Sequence, residues 1–411
     1  MYKTDREIPR NLQDREVNRL GGHLENKKIA LCVTGSIAAY KAPSIVRHFR
    51  QYGADVHVYL TQEGERYIGK DSLEWTSTNP VICELTASAE HLYEYDAYIV
   101  APATLNTIGQ MADGKASNAV TTTLASALGR LKRGEASILI APAMHGTLED
   151  NPAYQQNLRK LQSYGIKVIQ PKYMYGKANL PSSHNIVVQT IRQLSRSPIR
   201  NRRILVTAGP TPGRIDNVRF LTNRFRGRLG IRIADEAYMR GAEVKLILGP
   251  SGINAPAYID TTLIKDFNEY YSKVMEVLEH FRFDFGIFCA SVADYIPKKA
   301  FSGKIPSQGG LDSIKLKQTP KVIREVREKF PEILVVMFKY EEKLSKGQLE
   351  KIATSRVKEG YHIVVANRGE DMTPDGEYRC IIVNKKGVVA EPKSRNECAN
   401  LLLNLLEKSE K

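Results

Sequence analysis

Two stretches of this chain, GADVHVY and GAEVKLI, hold the same place in a local plan that the sequence uses twice. In each half an apolar strand leads into a Gly/Ser/Thr-rich turn and a helix, and Gly-Ala-acid-Val then opens a second strand. A plan used twice predicts two nucleotide-type domains in tandem. Length agrees, because 411 residues exceed the roughly 250–300 at which a single core stops growing.

From Lys28 the runs KIALCVTG, DVHVYLT, AYIVAPA, SILIAPA and IKVIQP alternate with helical stretches. Continuous apolar runs of strand length belong to a parallel sheet covered on both faces. The polar, basic stretch SRSPIRNRR, with Pro198, interrupts the pattern, and a fresh strand, ILVTAGP, starts near Arg203. EVKLILGP, FGIFCAS, ILVVMF, HIVVAN and the antiparallel-looking CIIVNKKGVV follow. The expected organisation is a polar extension over 1–27, an α/β domain over 28–192, a linker over 193–202 and a second α/β domain over 203–411. Both domains are expected to be doubly wound and Rossmann-like.

A net charge of +15 admits nucleic acid, an acidic membrane surface or anionic small molecules as partners. The basic residues are interleaved with Asp and Glu, and no basic run is combined with stacking aromatics. Phosphate-bearing metabolites are therefore the expected partners, and nucleic acid is not. No apolar run approaches the ~18–20 residues that span a bilayer, and the N-terminus lacks an apolar signal-peptide core, so a cytoplasmic protein without membrane attachment is expected. The five cysteines (Cys32, Cys83, Cys289, Cys380, Cys398) are scattered, with no CxxC pair and no His at zinc-ligand spacing, and read as reduced thiols.

The first turn, TGSIAAYK, follows an apolar strand and opens a helix. Gly35, Ser36 and Ile37 can let backbone N–H groups approach an anion there, or can form a plain tight βα turn. There is no GxGxxG, and Asp55 precedes the second strand rather than following it, which disfavours a dinucleotide site. Thr61, ending the second strand, can add a hydroxyl to the same phosphate. APATLNT and APAMHG end two further strands at the edge where doubly wound sheets bind ligands, so Thr104, Asn106 and Met144 can line a flat ring; the plainer reading is a pair of proline-containing strand exits.

Taken together, GSIAAYK, PATLNT and PAM resemble the homo-oligomeric flavin-containing cysteine decarboxylases, phosphopantothenoylcysteine decarboxylases in particular, over roughly residues 28–190. The resemblance implies a flavodoxin-like flavoprotein domain that binds FMN. Gly35, Ser36 and Ile37 would lie near its phosphate or ring, Thr61 near the phosphate, and Thr104 and Asn106 beside the flavin. It also implies His91, in SAEHLYEYDAYIVAPAT, as the active-site histidine, although a lone His is by itself more often packed or on the surface. Two departures stand out. His145 replaces the asparagine of PAMN, so an imidazole would hold the substrate carboxylate. The family's flap carries a cysteine, whereas PKYMYGKANLPSSHN has none and offers Tyr173, Tyr175 or Lys177 as proton donors.

In the second half, Arg219 and Arg224 in RIDNVRFLTNRF can each fork onto a phosphate, against the commoner reading of an exposed basic loop. The ordered series AGPT, IDNVRFLTNRFRG, CASVADY, GKIPS, QTPKVI and VVAN resembles the phosphopantothenate–cysteine ligases over about residues 200–408. That resemblance implies attack of the 4'-phosphopantothenate carboxylate on the α-phosphate of CTP, with Mg²⁺ and Lys304 facing the phosphate oxygens, followed by capture of the acyl-nucleotide by the cysteine amine. Asn223 and Arg219 would hold the phosphopantothenate or acyl-nucleotide, Ala290 and Ser291 would touch it through backbone, and Asp294 would face the base or metal. Phe338 would stack on the nucleobase, its plain reading being core. Pro306, Phe225-Arg226 and Glu359 depart from the family, the last where a triphosphate-binding lysine is common, with Arg356 and Lys358 nearby; CTP and ATP both stay open.

The expected function is thus bifunctional: ligation of phosphopantothenate to cysteine, and FMN-dependent decarboxylation of the product to phosphopantetheine. The alternative is an active ligase whose N-terminal module binds flavin or oligomerises without turnover. The resemblances further imply a homo-oligomer, with trimers of the first domain and dimers of the second.

Overall fold

In this computed structural model, residues 13–174, 176–306, 313–371 and 379–409 are described. Residues 1–12 of the polar extension, and Tyr175, lie outside the described residues. The chain divides into two compact units, Met1–Ser195 and Arg196–Lys411.

The apolar runs of the first unit become strands β1 (Lys28–Val33), β2 (Asp55–Leu60), β3 (Ala97–Ala103), β4 (Ser137–Pro142) and β5 (Lys167–Val168). They form one parallel sheet in the order β2-β1-β3-β4-β5, the flavodoxin-like arrangement. Every residue of β3 is buried, because helices cover both faces of the central strands. One face packs Tyr98, Val100 and Ile140 against Ile108 and Leu124 of the helices Leu105–Ala112 and Ala119–Lys132. Strand order reverses between β1 and β3, so the ligand-binding crevice of such a sheet opens at their carboxyl ends. Past β4, Met144–His145, Lys177–Asn179 and Lys172–Met174 make a small antiparallel sheet.

The second unit contains β6 (Arg203–Ala208), β7 (Glu243–Leu248), β8 (Asp260–Leu263), β9 (Phe285–Phe288), β10 (Leu334–Glu341), β11 (Ile363–Arg368), β12 (Ile381–Asn384) and β13 (Gly387–Ala390). Their order is β8-β7-β6-β9-β10-β11-β12-β13. The first six are parallel in the order of a dinucleotide-binding fold, and β12 and β13 add on antiparallel, as the text CIIVNKKGVV suggested. Alternation along β6 splits the core. Ile204 and Val206 face the helices Arg228–Met239 and Arg395–Glu407, while Leu205 faces Phe267–His280 and Lys346–Lys358. Each fully buried aliphatic of this kind contributes about 1.5–3 kcal/mol, which is what holds the two strand exits of the switch point in place.

All five cysteines are free, the sulfurs of Cys380 and Cys398 being 3.6 Å apart. Among the described residues no helix is long and apolar enough to cross a membrane.

Candidate active sites

In the first unit, hydrogen bonds bind the strand exits to one another. Thr34 Oγ1 donates to Pro102 O at 2.7 Å, Thr61 N to Val33 O at 3.1 Å and Ala143 N to Ala103 O at 3.3 Å. Gly35, Thr61, Thr104 and Met144 therefore leave adjacent carboxyl ends. Gly35 is demanded by space, because a Cβ there would come within 2.4 Å of Glu63 Cβ. Ser36 caps the single turn Ile37–Lys41 by accepting from Ala38 N at 3.3 Å. Thr61 and Thr104 likewise cap short helices, accepting from Gly64 N at 3.1 Å and Thr107 N at 3.3 Å. The Thr61 hydroxyl keeps its own proton to donate. Ile37 is 72% exposed and Tyr40 59%, so this edge holds large apolar side chains out against solvent, as a site for a flat ring requires. Asn106 is exposed beside them, and Met144 is half-buried against the unit's core.

His91 sits in a rigid setting. The Glu90 carboxylate accepts from Thr86 N at 2.8 Å and Thr86 Oγ1 at 2.5 Å, which draws its pKa below the usual range, and Tyr59 OH donates to Glu90 O at 2.7 Å. The turn Glu90–Leu92 packs on helix Ala119–Lys132, and His91 Nδ1 is buried without a hydrogen-bond partner. Among the described residues no hydrogen bond joins His91 to the Gly35 turn. His145 is exposed and caps Gly146–Glu149, its Nδ1 3.2 Å from Thr147 Oγ1, which leaves Nε2 to meet a carboxylate. The hairpin of Lys172–Met174 and Lys177–Asn179 runs beside it, with Lys177 paired in register to His145. Tyr173 OH donates to Glu149 Oε1 at 2.5 Å, and that carboxylate pushes the phenol up to about 12.

In the second unit the switch point is extended beyond the main sheet. Pro210–Thr211 pairs in parallel with Ser291–Val292, Ala293 N donates to Thr211 Oγ1 at 2.9 Å, and Thr319 Oγ1 donates to Ala293 O at 2.7 Å. Ala290 N is 3.3 Å from Thr207 Oγ1. Gly227, at φ 77°, starts helix Arg228–Met239 so close to β6 that a Cβ would lie 2.3 Å from Gly209 N. Asn223 Nδ2 reaches Ser291 O at 3.1 Å and Ser291 Oγ at 3.0 Å, which brings two of the expected residues into contact.

Arg219 and Lys304 are brought together through a residue that sequence reasoning passed over. Asp216, wholly buried, accepts from Val218 N at 2.7 Å, Arg219 N at 2.6 Å, Arg219 Nη1 at 2.7 Å and Ile305 N at 3.0 Å. Arg219 Nη1 also donates to Ile305 O at 3.2 Å, and Asn217 N to Gly303 O at 3.0 Å. Lys304 is thereby gripped by backbone on both sides while its own side chain is exposed. The Asp216 carboxyl is held down to about 2, first by the Ile305 amide. Asp294 is exposed and ion-paired with Lys321. Phe338, on β10, is half-buried against the core. Two residues further along the strand, Tyr340 OH accepts from Arg224 Nη2 at 3.1 Å, and its ring centre lies 5.1 Å from that of Phe225. Lys321 and Tyr340 also escaped notice. Lys321 lies inside the QTPKVI motif and Tyr340 two residues after Phe338, which was their only signal.

Comparison with known proteins agrees with this division. Residues 17–195 match the flavoprotein family and residues 199–409 the C-terminal domain family of DNA/pantothenate metabolism flavoproteins. The coenzyme A biosynthesis bifunctional protein CoaBC of Thermococcus kodakarensis is 35% identical over 353 residues, spanning 84% of this chain and 86% of that protein. The Bacillus subtilis protein of the same name is 32% identical over 368 residues, spanning 82% and 87%. A crystal structure of the DNA/pantothenate metabolism flavoprotein from Streptococcus pneumoniae is 26% identical and covers 51% of this chain and 100% of its own, with a TM-score of 0.46. With both halves matched in order and a relative aligned over most of its length, this chain belongs to the family of bifunctional flavoproteins of coenzyme A biosynthesis.

Proposed function

We propose that the second unit ligates 4'-phosphopantothenate to cysteine at the β6/β9 switch point, and that the first unit decarboxylates the product. The observation that carries the ligase reading is the Asp216-centred grip, which ties Arg219 to the backbone that carries Lys304, with the Asn223–Ser291 contact at the strand exit as a second support. In the first step a carboxylate oxygen of phosphopantothenate bonds to the α-phosphorus of CTP and the bond to pyrophosphate breaks. Negative charge grows on the phosphate oxygens, where the exposed Lys304 ammonium stabilises it. In the second step the cysteine amine attacks the acyl carbonyl, loses its proton, and the nucleotide monophosphate leaves. Asn223 and Arg219 hold the acyl-nucleotide over Ser291 meanwhile. Among the described residues no three His, Cys, Asp or Glu side chains cluster as a metal site, so Mg²⁺ fits best as a companion of the triphosphate, facing Asp294. Mixing the protein with phosphopantothenate, cysteine, Mg²⁺ and CTP or ATP tests this; no pyrophosphate with either nucleotide would sink it.

The first unit fits FMN at the carboxyl ends of β1, β2 and β3. The space closed to any Cβ at Gly35, the capped Ser36, Thr61 and Thr104, and the outward Ile37 suit its phosphate and ring. When bound, FMN would supply reversible two-electron oxidation of a thiol, which makes loss of the neighbouring carboxylate as CO₂ easy. His91 would exchange the proton, His145 Nε2 would hold the departing carboxylate, and Tyr173, kept protonated beside Glu149, would return a proton to the product. Asn106 and Met144 would flank the ring. CO₂ release from phosphopantothenoylcysteine tests the set. The cysteine-free hairpin favours a second reading, a flavin-binding module without turnover, for which that assay would give no CO₂ from yellow protein. Trimers of the first unit and dimers of the second are part of the same proposal, as is a cytoplasmic setting; mass in solution tests the assembly.

A further inference from the structure

The polar residues ahead of β1 contain a cation in an unfavourable place. Arg15 is 7% exposed, and its guanidinium carbon lies 4.3 Å from the centre of the Trp75 ring. Stacking serves the flat face of a guanidinium but not its N–H groups. Arg15 Nε and Nη1 are buried with no acceptor.

Three further arginines converge on this spot. Arg50, near the end of helix Ala42–Gln51, donates from Nη1 to Thr76 O at 2.7 Å, next to Trp75. Arg47 lies one turn earlier on that helix. Arg19 Nη1 packs over Gly53, 2.5 Å from where a Cβ would stand, and Leu20 N is tied to Gln51 O at 2.9 Å. Burial, then Arg47, Arg15 and Arg19, lowers the Arg50 pKa from its usual range. Among the described residues none of the four makes an ion pair with a carboxylate. Helix C-termini attract cations and account for Arg50. They do not reach the orphaned donors of Arg15.

A buried guanidinium without a partner, beside three like charges, is an uncompensated cost that a folded chain offsets by binding an anion. We propose that Arg15, Arg19, Arg47 and Arg50 form a binding site for a multiply charged phosphate anion. Guanidinium forks match phosphate oxygens in pairs, and this many positive charges favour a phosphate group over a single carboxylate. The site is separate from the flavin turn. Helix Ala42–Gln51 starts at the carboxyl edge of the sheet, near Gly35, and ends at the opposite edge, where β2 begins.

Trp75 is the sole tryptophan of the chain, so its emission reports on this site alone. The full-length protein is titrated with pyrophosphate and with inorganic phosphate, chloride being added at matched ionic strength as the control. The expected result is a saturable emission change with the phosphates only, as the anion shifts Arg15 over the ring. Pyrophosphate stronger than phosphate would assign a diphosphate group, and equal strength a lone phosphoryl group. Arg19→Gln/Arg47→Gln keeps Arg15, the residue stacked on the ring, and should weaken binding about tenfold or more while leaving the starting emission unchanged. No saturable change, or an unchanged affinity in that double variant, would overturn the proposal. So would a response gained only in Asp5→Asn/Glu7→Gln, which would mean that the chain's own acidic residues serve the cluster.

Discussion

Asp216 Oδ2 accepts the amide of Ile305 at 3.0 Å across 89 residues of chain, and the same oxygen receives Arg219 Nη1 at 2.7 Å. One carboxylate therefore fixes the distance between the arginine proposed to hold the acyl-nucleotide and the backbone that carries Lys304. Asp216→Asn would turn one acceptor oxygen into a donor facing N–H groups. The expected result is a fall of about 100-fold in kcat/KM for pyrophosphate release, the scale of loss when catalytic groups are misplaced by about an ångström. Glutamate at the same position, restoring charge but not reach, should recover little. Unchanged kinetics in the asparagine variant would show that the grip has no catalytic role.

The same carboxylate gives a dependence on acid. Its pKa is lowered from the ordinary 3.8 to about 2, so the charged form is the one that the folded state favours. Its contribution to stability is then complete above the ordinary value and is lost as pH falls from about 4 towards 2. Thermal unfolding of the wild type should weaken more steeply across that interval than unfolding of Asp216→Asn. Parallel curves would refute the assignment.

Lys304→Gln keeps the backbone grip and removes only the ammonium. Loss of a group that stabilises charge developing in the transition state should slow pyrophosphate release by about 10²–10³-fold, with melting temperature and flavin absorbance unchanged. Equal rates would place the stabilising cation elsewhere, Arg224 and Lys321 being next to examine.

The strands and their parallel order were legible because continuous apolar runs of β length have few ways to be buried. The tight turn after β1 was legible for a similar reason: a Cβ at Gly35 would meet Glu63 Cβ at 2.4 Å, so composition and geometry speak together. The Asp216 grip was not, although the residue lies inside the IDNVRF motif. Its decisive partner is a backbone amide beyond several intervening elements, and an amide has no signature in sequence. The pairing of Arg224 with Tyr340 was hidden in the same way, since the two residues are 116 positions apart. Arg15 was passed over as part of a polar extension because burial of a charged residue runs against its type.

His91 Nδ1 is buried without a partner although the neighbouring Glu90 is bonded through both its carboxylate and its carbonyl, an arrangement that suits a group awaiting substrate. His91→Asn should lower CO₂ release by roughly 10²–10⁴-fold and leave pyrophosphate release intact. Equal loss of both activities would contradict independent sites.

Tyr173 bears on whether the first unit turns over without a flap cysteine. Its hydroxyl donates to Glu149, and the carboxylate holds its pKa at about 12, so at neutral pH the phenol carries its proton on the hairpin that runs beside His145. A donor kept protonated across the physiological range can protonate the product at any working pH, which a cysteine of ordinary pKa does less uniformly. Tyr173→Phe removes the donor and leaves the ring. If Tyr173 serves in place of the cysteine, CO₂ should still be released in a single turnover while phosphopantetheine formation slows by roughly 10²-fold or more. Glu149→Gln should give a milder loss by freeing the hydroxyl. Normal phosphopantetheine formation in Tyr173→Phe would remove the tyrosine from the cycle and turn attention to Lys177, paired in register with His145.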